Sequence, residues 1–179
     1  MVPANVIDLA SGCMQSLVIR ISAVASMLGL AIWLGGLVAL GAIAAPVVFS
    51  IVPLASSADA MTAVFLRFDT VAMSCAAVVL ASEALQAGAR VPFAAADHVR
   101  AAVSALAAAL AVAESKVVSP RIAALHAAGA VRGVGSAGLE LAQWHDMAER
   151  LGKGQLVLLV SVLTLRVLTL TRRRPLSGT

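Results

Sequence analysis

The sequence is poor in charged residues. Only 12% of its 179 residues are charged, whereas 61% are hydrophobic and the mean hydropathy is +0.99. Soluble globular domains carry about 25% charged residues. This composition excludes a soluble globular domain and indicates an integral membrane protein.

Catalytic motifs are also missing. The chain has no GxSxG, HExxH or P-loop sequence, and the glycines of "RGVGSAG" (132–138) do not follow a strand as a dinucleotide-binding loop would. We therefore predict that the protein is not an enzyme and that it carries no cofactor. The high isoelectric point, about 10.0, comes from scattered and tail arginines. Such a tail favours anionic lipid, and we predict no nucleic-acid partner.

Cysteine is too rare to build a disulfide framework or a zinc site. Cys13 precedes the first long apolar run and Cys75 lies inside the second. Two cysteines placed so differently have none of the paired spacings of a metal knuckle. We predict that both are free thiols.

What the sequence does have is four long apolar runs, at approximately residues 17–45, 70–89, 99–118 and 155–171. A helix needs about 20 apolar residues to cross the roughly 30 Å bilayer core. The runs do not alternate with polar residues, which argues against a β-barrel. The first is longer than the apolar region of a signal peptide. We predict an all-α polytopic membrane protein: a single domain, residues 1–179, forming a bundle of four transmembrane helices.

Small residues recur at every fourth position in two of the runs: Ala31, Gly35 and Ala39, and then Ala101, Ala105, Ala109 and Ala113. This spacing places small side chains on one stripe of a helix and lets neighbouring backbones approach closely in lipid. The pattern indicates tight helix association, although the general abundance of alanine and glycine explains it as well.

The arginine cluster "TRRRP" (171–175) gives an orientation, because positive charge is retained on the cytoplasmic side. With four spans it predicts a bacterial-type inner (plasma) membrane protein with both termini cytoplasmic. Three further basic residues near the same side agree: Arg20, Arg90 and Arg100. The long third loop argues the other way, because it carries Arg121, Arg132, Arg150 and Lys153.

Ionisable residues inside the runs fall into two layers in this topology. An inner layer pairs Glu83 with Arg166 or Arg20, and an outer layer gathers Asp69, Glu114, Lys116 and Arg67 with residues of the third loop. Within the outer layer, Asp69, Glu114 and His145 form a candidate site. Such residues cost about 2.5–3.5 kcal/mol at the centre of a span and therefore need partners or a function. Two explanations stay open: a pair that fixes helix register, or part of an ion or proton path.

The third loop contains a second pattern. Leu141, Trp144, Ala148 and Leu151 are spaced by 3, 4 and 3 residues, which predicts an amphipathic helix over about residues 137–151 lying on the outer membrane surface. "LGKG" is expected to end it before the last span. His145 lies at the border of its apolar face, either as a hydrogen-bonding anchor or as a metal ligand; whether it binds metal is left open.

Four segments carry a family resemblance: "WLGGLVALGAIAAPVVF" (33–49), "FLRFD" (65–69), "SPRI" (119–122) and "WHDMAERLGKGQL" (144–156). They resemble the small transmembrane protein 205-like proteins, catalogued as domain of unknown function 4149, over about residues 25–170. The matching positions are Trp33, Gly36, Pro46, Phe49, Pro120, His145 and Gln155.

The resemblance implies a four-helix membrane protein whose biochemical activity is not established. The chain departs from the family pattern at Ala148 and Gly152, where polar residues are frequent. A weaker likeness is to the copper-resistance D type of membrane domain.

From these observations we expect a non-catalytic membrane protein whose partners are the lipid bilayer and either copies of itself, as a homo-oligomer, or other membrane subunits, as an accessory subunit. The alternative is a small permease or metal- or ion-handling protein that uses the outer-face cluster of Asp, Glu and His.

Overall fold

The computed structural model describes residues 4–89 and 95–172, which form helices joined by short turns, with no strand in these two stretches. The α-helices are α1 (Ala4–Val38), α2 (Ala45–Ile51), α3 (Leu54–Gly88), α4 (Ala95–Ala113), α5 (Ser119–Ala127) and α6 (Gly135–Arg172). Two π-helical segments, Ala39–Ala44 and Glu114–Val118, join α1 to α2 and α4 to α5. The predicted all-α fold class is confirmed.

Each π-helical segment immediately precedes a helix that has a proline in its first turn: Pro46 in α2 and Pro120 in α5. Inside an α-helix a proline ring clashes with the carbonyl four residues earlier and removes one hydrogen bond. The two carbonyls concerned, those of Ala42 and Lys116, lie within the π-helical segments. The wider π turn accommodates the prolines, so the chain continues in the same direction without a break.

Two turns separate the remaining helices. Val52 is extended, with φ −105° and ψ 138°, as expected for a residue before proline, and α2 therefore ends before Pro53. Helix α5 ends in a Schellman motif: Gly129 has φ +77°, its N–H donates to the His126 carbonyl, and the Ala130 N–H donates to the Leu125 carbonyl. Glycine suits this position because a side chain would strain the left-handed conformation.

The helices pack as a four-membered bundle, in which α1 lies against α3, α3 against α4, α4 against α6, and α6 against α1. The central core is built from these four helices and is rich in alanine, which lets the backbones approach closely. Its largest buried side chains are Leu30, Trp33, Val79, Leu159 and Val162.

The distribution of polarity is the reverse of that in a soluble protein. Large apolar side chains such as Ile21, Leu28 and Ile32 are exposed on the outside, while Asp69, Glu83, Asp97, Arg100, Gln155 and Arg166 are buried inside. Four helical stretches are long and apolar enough to cross a membrane: Met14–Ile51, Ser56–Gly88, Ala95–Ala127 and Gly135–Thr169. The chain is a multi-pass membrane protein.

The helices extend well beyond the spans predicted from hydropathy. At 1.5 Å per residue these stretches are about 50–57 Å long, which exceeds the roughly 30 Å apolar core of a bilayer. Helix α3 begins at Leu54 and not near Thr70, so Asp69 lies in the middle of that helix. The apolar run at 70–89 is therefore only the second half of α3, because hydropathy reports only the apolar part of a longer helix.

The separate surface helix predicted over residues 137–151 is not present. These residues form the first part of α6, which runs without interruption through "LGKG" to Arg172. The two glycines do not break the helix because α4 packs against it there: a Cβ on Gly154 would lie 3.2 Å from Leu110 Cδ1. The packing outweighs a cost of about 1 kcal/mol for each glycine in a helix.

The small-residue stripes face outward. Ala31, Gly35 and Ala39 are all exposed, as are Ala105 and Ala109 on α4. Close packing inside the bundle uses other small residues of α4, namely Ser104, Ala107, Ala108 and Ala111. The predicted free thiol is confirmed for Cys75, which is buried. The side chain of Cys13, together with Arg90, Arg173 and Arg174, lies outside the described part of the chain.

Candidate functional site

A chain of buried hydrogen bonds crosses the middle of the bundle. Trp33 Nε1 on α1 donates to Gln155 Oε1 on α6 at 3.2 Å, and Gln155 Nε2 donates to Glu114 Oε2 at the start of the second π-helical segment. Trp33 and Gln155 are 1% and 2% exposed, so neither exchanges this partner for water. The indole fixes the orientation of the amide, and the amide fixes one oxygen of the carboxylate.

A second carboxylate faces the same point. Asp69 of α3 and Glu114 line one cavity of about 20 Å³, together with Gln155, Leu37, Phe65, Phe68, Ala72 and Ala111. Ser119 is a polar neighbour of Asp69, and Asp69 Oδ2 is buried and has no hydrogen-bond partner. The cavity that Asp69 lines has room for one water-sized body.

In the part of the chain that the structure describes, no basic side chain pairs with either of these two carboxylates. Two adjacent buried carboxylates cannot both be charged at low cost without a compensating positive charge. The site therefore calls for a proton or a bound cation.

Basic residues lie at the same level but face outward. Three basic side chains are exposed, and each stands two positions from a site residue: Arg67 from Asp69, Lys116 from Glu114, and Lys153 from Gln155. Two positions correspond to about 200° around a helix, so the basic side chains point away from the cavity. Long basic side chains reach the headgroups from such positions. These three residues form a ring of exposed basic side chains around the bundle at the level of the cavity.

Two features of the sequence shape the cavity. The π-helical segment holds Glu114 at its first position, and the carbonyl of Glu114 accepts a hydrogen bond from the Ser119 N–H. On α1, Gly36 leaves room for a ring that lines the cavity, because a Cβ there would lie 2.2 Å from Phe68 Cε2. π-helical turns are frequent at functional sites, where they re-aim a side chain.

A second polar cluster lies on the other side of the core. Arg166 Nη1 lies 2.8 Å from Glu83 Oε1, which forms the predicted ion pair. Arg100 also binds Glu83, through Nε at 2.9 Å and Nη2 at 2.7 Å, and its Nη1 lies 2.7 Å from Asp97. The four side chains are at most 5% exposed. Two positive and two negative charges compensate one another, so this cluster is internally neutral.

The apolar core separates the two clusters. Asp69 and Glu83 are 14 residues apart on α3, about 21 Å at 1.5 Å per residue. Leu30, Val79 and Leu159 fill the space between them and are each 1% exposed. The acidic cavity is thus closed toward the second cluster by packed apolar side chains.

The structure brings together only two of the three residues predicted for the outer site. Asp69 and Glu114 meet, but His145 does not join them, because it lies ten residues before Gln155 on α6, about 15 Å along the helix. Its ring packs edge-on against His126, with 5.6 Å between the ring centroids. The described residues contain no group of three or more His, Cys, Asp or Glu side chains that could hold a metal ion.

Sequence reasoning missed Arg100, Asp97 and Ser119. Arg100 was used only as an orientation signal near the cytoplasmic side, whereas it is buried within α4 and binds Glu83. The spacing of Asp97 and Arg100, three residues apart on one helix face, was the available signal. Arg20, the other predicted partner of Glu83, is exposed. Of the remaining motif positions, Pro46 and Pro120 follow the π-helical segments, and Phe49 is exposed.

Comparison with known proteins places the chain in one family. The model of a domain of unknown function (DUF4149) matches residues 28–131, which is 104 of the 179 residues. No curated protein and no solved structure gives a significant match. The matched segment contains Trp33, Asp69 and Glu114, while Gln155 lies beyond it. The narrower likeness to transmembrane protein 205-like proteins stays a prediction.

Proposed function

We propose that this chain, which belongs to the DUF4149 family of unknown function, is a proton-handling membrane protein of the permease type. Asp69 and Glu114 share one exchangeable proton in the cavity between α3, α4 and α6. The observation that carries this proposal is the pair of buried carboxylates with no basic partner among the described residues. Buried ionisable residues of this kind mark proton and ion pathways in membrane proteins.

The same function is supported by the position of the cavity, which lies toward one side of the bundle. The ring of exposed basic residues sets the cavity close to one membrane surface, and the apolar core closes it from the other cluster. A proton that enters from the near surface can therefore reach the far surface only after the packing of the core changes. Such a site binds on one side and releases after a conformational step.

Proton flux into vesicles tests this function. We would reconstitute the full-length protein into lipid vesicles that contain a pH-sensitive dye, and impose a pH gradient. The wild-type protein is expected to carry protons, whereas Asp69→Asn and Glu114→Gln lose the flux. Asp59→Asn is the matched control, because Asp59 is an exposed carboxylate on the same helix as Asp69. Flux equal to that of protein-free vesicles would contradict the proposal.

A second candidate function, assembly into a homo-oligomer or as an accessory subunit of a larger complex, is favoured by the exposed stripe Ala31, Gly35 and Ala39. These small side chains face away from the bundle, and a Cβ on Gly35 would meet no heavy atom within 4 Å. Stripes of this type bring transmembrane helices into contact. The native mass of the detergent-extracted protein tests it: Gly35→Leu is expected to reduce a multimeric mass to that of the single chain. A wild-type mass of one chain alone would contradict it.

We propose a bacterial-type inner membrane with both termini in the cytoplasm, on the basis of the arginine-rich tail. This orientation places the cavity near the outer surface, with the Glu83 cluster toward the cytoplasm. Protease access to a C-terminal tag in sealed cells and in inverted vesicles tests the orientation. Cleavage only in inverted vesicles is expected, and cleavage in sealed cells would reverse the orientation.

A further inference from the structure

The acidic cavity has the chemistry of a site for a small monovalent metal cation. We infer that Na⁺, or the smaller Li⁺, binds between Asp69 and Glu114 in exchange for the proton that the two carboxylates share. The inference rests on the proposed function and names the second ligand of the same site.

An unpartnered oxygen points to a ligand. The Asp69 side chain lines a cavity of about 20 Å³ and is only 9% exposed. Its Oδ2 atom has no hydrogen-bond partner. A buried carboxylate oxygen without a partner is costly, and a cation in the cavity would satisfy it. The cavity accommodates one body of about the size of a water molecule, which matches a dehydrated alkali cation.

The available ligand atoms select the class of cation. The polar side chains that line the cavity are the carboxylates of Asp69 and Glu114 and the amide of Gln155, and oxygen ligands suit hard cations. Ca²⁺ requires six to eight oxygens, and Mg²⁺ keeps several water molecules in an octahedral shell. Neither shell fits a cavity with room for one water. Copper and zinc prefer nitrogen or sulfur ligands, and the side chains lining this cavity offer neither a histidine nor a cysteine.

The charges around the site favour exchange of one positive charge for another. Asp69 and Glu114 are the acidic groups that face the cavity, Gln155, Ser119 and Trp33 are neutral, and Arg67, Lys116 and Lys153 face outward at the same level. When Na⁺ enters, the O–H bond of the shared proton breaks and the proton leaves to water, while a carboxylate oxygen binds the cation. The net charge of the cavity is the same before and after.

Proton release on addition of Na⁺ tests the inference. The full-length protein in detergent, at low buffer capacity with a pH indicator, is titrated with NaCl or with choline chloride at matched ionic strength, over a series of starting pH values. We expect about one proton per chain to be released by Na⁺ and by Li⁺, because the pair holds one proton in place of the cation. K⁺ is expected to release less because it is larger, and choline none.

Variants locate the release at this site. Asp69→Asn and Glu114→Gln are expected to abolish it, and Asp59→Asn to leave it unchanged. Ser119→Ala keeps both carboxylates and removes a polar neighbour of Asp69, so it should raise the Na⁺ concentration for half-release about tenfold. Equal release by NaCl and choline chloride in the wild-type protein would overturn the inference without any variant. If the vesicle proton flux persists in that case, the proposed function stands; if both are absent, both fail.

Discussion

Trp33 donates a hydrogen bond to Gln155 at 3.2 Å, and this contact joins α1 to α6 at the level of the acidic cavity. Since Gln155 in turn donates to Glu114, the indole orients a carboxylate that it does not touch. The bond has no exchange with solvent, because both side chains are almost fully buried.

Replacing Gln155 by leucine is therefore expected to lower the stability of the bundle. The Trp33 N–H and the Glu114 carboxylate each lose a partner, and a buried polar group left unsatisfied costs about 1–3 kcal/mol. Thermal unfolding in detergent would measure the loss. Gln143→Leu is the control, because Gln143 is exposed on the same helix. An unfolding temperature equal for the two variants would mean that the hydrogen-bond chain contributes nothing to stability.

The neighbouring glycines of α1 make a matched pair. Gly36→Ala places a Cβ against Phe68 Cε2, so the ring that lines the cavity must move, at a cost of about 1–3 kcal/mol. Gly35→Ala meets no atom within 4 Å and should be neutral or slightly stabilising, because alanine favours the helix. Unfolding temperatures and vesicle proton flux report the two effects. Equal unfolding temperatures and equal flux in the two variants would show that the Phe68 ring moves aside without a measurable cost.

The Glu83 cluster is expected to be structural. Glu83→Gln leaves Arg100 and Arg166 buried without the carboxylate that they share, and breaking a buried ion pair costs about 3–5 kcal/mol. Denaturation in detergent should show a large loss of stability. Glu149→Gln removes the partner of Lys153 in an exposed pair and should change little. A stable Glu83→Gln protein that has lost proton flux would instead assign this cluster to the transport path.

Pro120 is expected to maintain the π-helical segment that presents Glu114. Pro120→Ala restores an N–H that can bond the Lys116 carbonyl, so the segment can tighten to a regular α-helix. That change rotates Glu114 relative to α5 by about one residue, or 100°. The variant should fold and lose proton flux. Retention of full flux would show that packing, and not the proline, fixes the wide turn.

The fold was largely predictable from composition and apolar runs, since both report burial in lipid. Helix length was not, because hydropathy follows the bilayer core and stops at residues such as Asp69 and Lys153, whereas backbone hydrogen bonding continues past them. The glycines of "LGKG" suggested a break because glycine by itself disfavours a helix. Contact with Leu110 on another helix decides the outcome, and single-sequence patterns do not contain that contact.

The site was predictable only in part. Asp69 and Glu114 were found because charged residues are conspicuous in apolar runs, and Glu83 and Arg166 because their depths agree. His145 was assigned to the wrong place, because the expected surface helix would have folded it over the cavity, whereas the straight helix α6 carries it about 15 Å away. Arg100 was not predicted as a partner of Glu83, because it lies near the start of an apolar run in the sequence but is buried in the bundle.

The central claim is that Asp69 and Glu114 share one proton, and infrared spectroscopy of the protonated carboxyl group tests it most directly. The full-length protein is titrated in D₂O, and the wild-type spectrum is compared with those of Asp69→Asn, Glu114→Gln and the control Asp59→Asn. The account predicts a carboxyl band that persists near neutral pH, disappears at higher pH, and is missing or shifted in the first two variants only. If the wild-type protein shows no such band at any pH above the range in which ordinary carboxyl groups titrate, the account is contradicted.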